Sequence, residues 1–262
     1  MRIELQRVCA FCGAAPVSRE HVFPRWLRLA LPEQEAERGQ DRLRMFFPGS
    51  ADRKVLLVPS RKVAEPFTET RVRRVCRGCN NGWMAQLEER VQPVLTSMIK
   101  GQSVRLETSD VAAIATWATK TAMMHEFTDT GSQAYEQRDH HWLRDRREPP
   151  KGTAVWAGAM MSFGDWALRA EHAGLLYREL PTTDVNDPCN TSQTTIGLGY
   201  LLLTVVHSRV EAMNRQLDFS WAGGAMVKLW PPPETVKWPL ELTIPNELAW
   251  AIGTFLAFLV SA

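Results

Sequence analysis

No apolar run in this chain of 262 residues is long enough to cross a bilayer as a helix. The longest, "IGLGYLLLTVV" and "AWAIGTFLAFLVSA", fall short of the about 20 residues that such a span needs. The opening "MRIELQRVCAFCG" lacks the apolar core of a secretory signal. Cysteine is scarce, at 5 residues. The odd count, with four of the five in two C-x-x-C pairs, fits reduced thiols better than a secreted disulfide framework. Internal repeats and low-complexity tracts are missing too. These absences argue against a helical membrane protein and a disulfide scaffold, and the expectation is a soluble, cytoplasmic protein with no membrane partner.

What is present is enough to build a core: 45% of residues are hydrophobic and 23% charged. The length accommodates one large domain or two of ordinary size. The net charge of +2 conceals an asymmetry. Residues 1–100 hold 18 Lys/Arg against 11 Asp/Glu, whereas residues 101–262 hold 13 against 18. A basic part joined to an acidic part fits a polyanion-binding module with a second unit attached.

Local patterns divide the chain in the same place. "SREHVF" reads as a short strand, "PRWLRLAL" as a short helix with proline in its first turn, and residues 32–42 as a polar loop. "RLRMFF" and "KVLLVPSR" read as two strands around a turn, and "TRVRRVC" as a strand leading into "VCRGCNNGWM". From Asn80 apolar residues recur at helical spacing, with Pro93 expected to break the helix in two and Gly101 to stop it. The domain boundary is placed there, giving 1–100 and 101–262. In the second part "SDVAAIATWATKTAMMHEF" reads as a helix capped by Ser109 or Asp110, with His125 in its core face. "EQRDHHWLRDRREPPKG", with His140 and His141, reads as a charged loop. "TAVWAGAMM" and "TTIGLGYLLLTVVHS" read as strands, and "PNELAWAIGTFLAFLV" as a buried terminal helix after the break "WPPPE".

The strongest chemical signal is Cys9-x-x-Cys12 with Cys76-x-x-Cys79, four thiols that match tetrahedral structural zinc. Sixty-three residues separate the pairs, so the metal would join distant segments. Cys189 is left over. Glu20-His21 lies just beyond the first pair and Asn80 directly follows the second. If zinc clamps both turns together, Glu20 and Asn80 come close, and a carboxylate with an amide oxygen suits Mg2+ or Mn2+. An imidazole alongside can take a proton from water. Neighbours on a regular strand face opposite ways, so Glu20 and His21 can serve one site only if the backbone twists or bulges there. Arg19, Arg25, Arg71, Arg73, Arg74 and Arg77 flank these positions and suit contacts with a nucleic-acid backbone.

"C-x-x-C … E-H-V-F-P … C-x-x-C-N" resembles the HNH, or ββα-metal, endonucleases, and is most similar to the zinc-bearing branch that includes phage recombination endonuclease VII. The resemblance covers roughly residues 5–92. It implies Glu20 and Asn80 as ligands of a catalytic Mg2+ or Mn2+, His21 as the general base, and the four cysteines as structural zinc ligands. The implied fold is α+β, an N-terminal zinc-bound ββα-metal domain with an insert, followed by a C-terminal α+β domain. The implied reaction is hydrolysis of a phosphodiester bond, with DNA favoured over RNA and a role in phage defence or phage biology. Three departures stand out: Glu20 where the acid is commonly Asp, Arg71 where many members carry Asn, and Trp83, Met84 and Leu87 near the position of a second helix histidine. The last two departures, the missing asparagine and the missing histidine, support the alternative, a zinc-organised nucleic-acid-binding protein with a degenerate site. Oligomerisation, sensing and substrate binding are the roles open to residues 101–262.

Overall fold

The computed structural model describes residues 7–31, 37–45, 55–58, 69–128, 132–161, 167–177 and 189–256. The chain is α+β. The first thiol turn leads into β1 (Val17–His21) and a single helical turn, α1 (Leu27–Ala30). The insert supplies β2 (Glu37–Met45) and β3 (Val55–Val58), and β4 (Arg71–Cys76) follows. β4 runs straight into a helical turn, α2 (Arg77–Cys79), a π-type turn over Asn80–Met84, and the helix α3 (Ala85–Ile99). β1 and β4 form an antiparallel pair of their own, so strand, strand and helix stand together with the insert looping out between them.

The rest of the chain builds a larger unit. β5 (Val104–Glu107) leads into the long helix α4 (Thr108–Glu126), followed by α5 (Gln137–Arg146). Four strands come next: β6 (Thr153–Met160), β7 (Leu168–Leu175), β8 (Thr191–Leu198) and β9 (Leu201–Ser208). After them come α6 (Glu211–Gln216), β10 (Met226–Trp230), β11 (Thr235–Trp238), β12 (Thr243–Ile244) and α7 (Asn246–Gly253). The main sheet has the order β10-β6-β9-β8-β7-β2-β3, with β12 parallel beside β6. β11 pairs with β5. The sheet is antiparallel except where β2 runs parallel to β7 and β12 to β6. The two strands of the insert therefore pair with each other, as the sequence suggests, and also extend the sheet of the second part.

Period-two burial explains the apolar strands. On β9, Leu201, Leu203 and Val205 face the cluster under α4, and Leu202 and Val206 face a second cluster with Phe219, Ala249 and Ile252. With both faces covered, a near-continuous apolar run is what a strand requires. The expected strand "TTIGLGYLLLTVVHS" is in fact the hairpin of β8 and β9, turning at Gly199–Tyr200. Gly199 has φ +60°, and a side chain there would collide with the Ile99 carbonyl.

Four other local expectations are corrected. Pro93 lies inside α3 without breaking it. It sits on the exposed face, where the carbonyl left unpaired at Glu89 can bond to water, while Leu87, Val91, Leu95 and Met98 stay buried. The irregularity comes earlier, at Gly82 (φ −95°, ψ −109°) within the π-type turn. The "charged loop" around His140 is the helix α5, begun by a capping box in which Asp139 accepts from the Glu136 N–H at 2.8 Å. The polar stretch 32–42 becomes strand from Glu37 onward. α4 is capped by Glu107, with Asp110 completing the box.

Gly101, expected as the stop of α3, is left-handed (φ +68°). Side chains from both sides of it share one hydrophobic cluster, from Cys9 and Phe11 through Leu95 to Trp117 and Leu203. Lys120 on α4 reinforces the joint with an ion pair to Glu88 on α3 at 2.8 Å. No helix among the described residues is long and apolar enough to cross a membrane.

Candidate metal centre

The first thiol turn is closed by backbone bonds from Cys9 N to Ala14 O and from Gly13 N to Cys9 O, both 2.8 Å, with Gly13 at φ +73°. Ala10 N donates to Arg74 O at 2.9 Å, which fastens this turn to β4. Cys76 ends β4 and caps the next turn, its Sγ accepting from Cys79 N at 3.4 Å. The two turns meet, and the ligand atoms of Cys9, Cys12, Cys76 and Cys79 all lie within 4.8 Å of one another. Cys12 and Cys76 sulfurs are 3.5 Å apart. Zinc–sulfur bonds of about 2.3 Å place tetrahedral sulfurs roughly 3.8 Å apart, so this donor set fits the ion. Phe11, between the first two cysteines, packs edge to face on Trp83, ring centroids 5.5 Å apart.

Burial pushes the Cys9 and Cys79 thiols up. At Cys12 burial also acts upward, but hydrogen bonds from the Ala14 backbone and from the Cys76, Cys79 and Cys9 thiols outweigh it and lower that thiol to about 7. Sulfurs this close cannot all ionise without a cation among them. The four thiols could hold a metal ion such as zinc.

One strand away, Glu20 Oε2 accepts from Asn80 Nδ2 at 2.6 Å, and its other oxygen accepts from Ser18 Oγ. Asn80 does not open the helix as expected. The helix begins at Arg77, and Asn80 is the first residue of the π-type turn, a feature frequent at functional sites. The adjacent Asn81 Oδ1 lies 3.3 Å from Asn80 Nδ2.

His21 ends β1 opposite Arg71. The pairing slips between Ser18, opposite Val75, and Glu20, opposite Val72, so the irregularity precedes Glu20. Glu20 and His21 face the consecutive partners Val72 and Arg71, and the bulge expected at that step is not found there. Arg71 Nε donates to His21 Nε2 at 2.9 Å. A guanidinium only donates, so Nε2 holds the lone pair and the ring is neutral with its proton on Nδ1. Burial lowers the His21 pKa first, then the charges of Arg71, Arg25 and Arg28, against the opposing pull of Glu20. Glu69 lies 4.0 Å from His21 Nε2 and pairs with Arg28 and Arg71.

The other arginines divide by environment. Arg19, Arg25, Arg73 and Arg77 are exposed. Arg74 is half-buried, its guanidinium 5.3 Å from the centroid of the Phe127 ring, a packing role. Ser18, Arg28 and Glu69 take part in the site, although no sequence motif marks them. Trp83 and Met84 are buried, and His125 is fully buried. Comparison with known family models, curated proteins and solved structures gives no match for this chain.

Proposed function

We propose that this chain is a metal-dependent endonuclease of the HNH, or ββα-metal, class that hydrolyses phosphodiester bonds in nucleic acid, with DNA the first substrate to test. The observation that carries the reading is the convergence of three sequence-distant pieces. A four-thiol cluster clamps two turns, Glu20 and Asn80 touch beside it, and a neutral His21 stands at the end of the same strand as Glu20. Zinc held by Cys9, Cys12, Cys76 and Cys79 would fix this geometry. Glu20 and Asn80 are the residues that would hold Mg2+ or Mn2+, which requires the Asn80 amide to turn its oxygen toward the ion. A divalent cation bound there supplies polarisation of a phosphate oxygen.

His21 is kept neutral by burial and by its arginine neighbours, so a lone pair is available at neutral pH to take a proton from water. Arg71 occupies Nε2 in this state, and a phosphate entering the site offers that guanidinium a stronger partner, freeing the nitrogen. Arg19, Arg25, Arg73 and Arg77 are placed in solvent, where they can meet the backbone of a bound strand.

A second reading, a zinc-organised nucleic-acid-binding protein with a decayed site, draws on a specific observation. Both Glu20 oxygens and His21 Nε2 are already hydrogen-bonded, and the helix offers the buried Trp83, Met84 and Leu87 in place of a second histidine. Incubating the zinc-loaded chain with single- and double-stranded DNA and structured RNA, across Mg2+ and Mn2+ titrations, separates the two. Cleavage supports the nuclease. Binding with no cleavage under any of these metals transfers the conclusion to the second reading.

A further inference from the structure

We propose that a cleft between α5 and the end of β9, remote in sequence from the cysteines, binds a nucleotide unit, an aromatic base carrying a phosphate. The cleft has a volume of about 820 Å³ and is lined by Arg138, Asp139 and Trp142 of α5, Lys151 and Gly152 of the following turn, and Arg209 after β9, among others. Part of its wall is pinned. A side chain at Gly152 (φ +83°) would collide with the Ser208 carbonyl, and Ser208 N donates to Gly152 O at 2.9 Å. Arg209 is held by the Cys189 carbonyl at 2.9 Å and by Glu136, which also pairs with Arg138. A stretch of wall that needs no reordering favours binding of a small ligand.

The chemistry of the lining selects the ligand class. Trp142 is 42% exposed despite its size, with the Arg146 guanidinium 5.3 Å from its ring centroid. Such a ring is a stacking platform for a base. Lys151 is exposed and has no ion pair among the described residues, which leaves its ammonium for a phosphate. The lining cations are nearly balanced by Asp139 and Glu211, so bulk charge attraction is not the recognition principle. A ligand part aromatic and part anionic matches this mixture better than a bare polyanion does. Below the cleft, His207 Nε2 is buried without a hydrogen-bond partner and faces Asp139 Oδ2 at 3.8 Å, so the polar character continues inward.

A free nucleotide and one residue of a nucleic-acid strand share this chemistry. α5 also reaches the thiol cluster, since Gln137 donates to the Ala10 carbonyl and His140 packs on Phe11 at 5.3 Å, so a strand at the metal centre has this cleft one helix away. The test uses the full zinc-loaded chain with no divalent metal added, so that cleavage plays no part. Adenosine monophosphate is titrated by calorimetry, and a labelled short single-stranded DNA by anisotropy. Trp142→Ala should weaken binding about tenfold or more, the usual weight of one stacked base, with Trp142→Phe retaining most of it. Lys151→Ala should weaken it and make it less salt-dependent. Both side chains are exposed, and an unchanged melting temperature verifies that the variants fold. Saturable binding of the monophosphate that these changes weaken identifies a free nucleotide as ligand. Sensitivity of the oligonucleotide alone identifies a strand. Binding of neither probe, or binding indifferent to both substitutions, overturns the proposal.

Discussion

Cys76 illustrates how much a single residue can do. It ends β4, caps the following turn through its sulfur, and stands 3.5 Å from Cys12. Cys76→Ser should lower bound zinc from one per chain to a small fraction and lower the unfolding temperature, because the cluster ties two turns into the shared core. Elemental analysis and a thermal melt check this, and Cys189→Ser, which touches no member of the cluster, should leave the zinc unchanged. The four cysteines are legible in the sequence because C-x-x-C spacing is a local signature. Glu20 and Asn80 are legible only relative to those cysteines. Ser18 and Glu69 are not, since their roles come from the β1–β4 pairing and from side-chain contacts that no sequence spacing encodes.

Among the elements, α3 and α5 show where pattern reading succeeds and fails. The amphipathic repeat of Leu87, Val91, Leu95 and Met98 identifies α3, but the rule that proline ends helices misplaces its break. Because Pro93 is exposed, Pro93→Ala should restore a backbone bond to Glu89 and stabilise the chain by up to about 3 kcal/mol, offset in part by the freer unfolded chain. A denaturant midpoint that falls would contradict this. α5 escapes pattern reading because its residues are so polar that apolar periodicity is faint, and the usable signal is the capping pair Glu136 and Asp139. β8 and β9 are legible as strand but not as two, since one apolar run hides a two-residue turn. On β4 and its turn, Arg71, Arg73 and Arg77 are exposed, Arg71 being engaged with His21 and Glu69, while Arg74 packs on Phe127. Replacing Arg73 and Arg77 by Ala should make the salt dependence of DNA binding shallower, by about 0.9 in the log–log slope for each phosphate no longer neutralised. An equal effect from Arg74→Ala, with stability unchanged, would argue against this division.

Across the whole molecule, buried titratable groups set the pH range of stability. Burial lowers His140 to about 4 and His207 to about 3, so both fold as neutral rings. Their folded pKa values lie below the unfolded 6.5, so the unfolded chain binds more protons and stability falls as pH drops below about 6.5, by roughly 1.4 kcal/mol per unit for each ring. Glu126 is shifted the other way, burial raising it to about 8. Its stabilising share is complete below its unfolded pKa near 4.5 and is lost as pH rises toward about 8. Denaturant unfolding from pH 4 to 9 should therefore show stability falling on both sides of about pH 6.5, and Glu126→Gln should remove the decline between about 6.5 and 8 and steepen the rise from about 4.5 to 6.5. At this scale the α+β class is legible from alternating patterns, whereas the joining of the insert to the far sheet is not, because strand pairing across more than a hundred residues leaves no local trace. The central claim is that Glu20, His21 and Asn80 form one hydrolytic site, and a cleavage time course across a Mg2+ and Mn2+ titration tests it most directly. His21→Ala should lower the rate by about 10²–10⁴-fold at every metal concentration. Asn80→Ala should lose activity that extra metal partly restores, with zinc content unchanged in both variants. Cleavage by His21→Ala at the wild-type rate, or rescue of that variant by metal, would contradict the account.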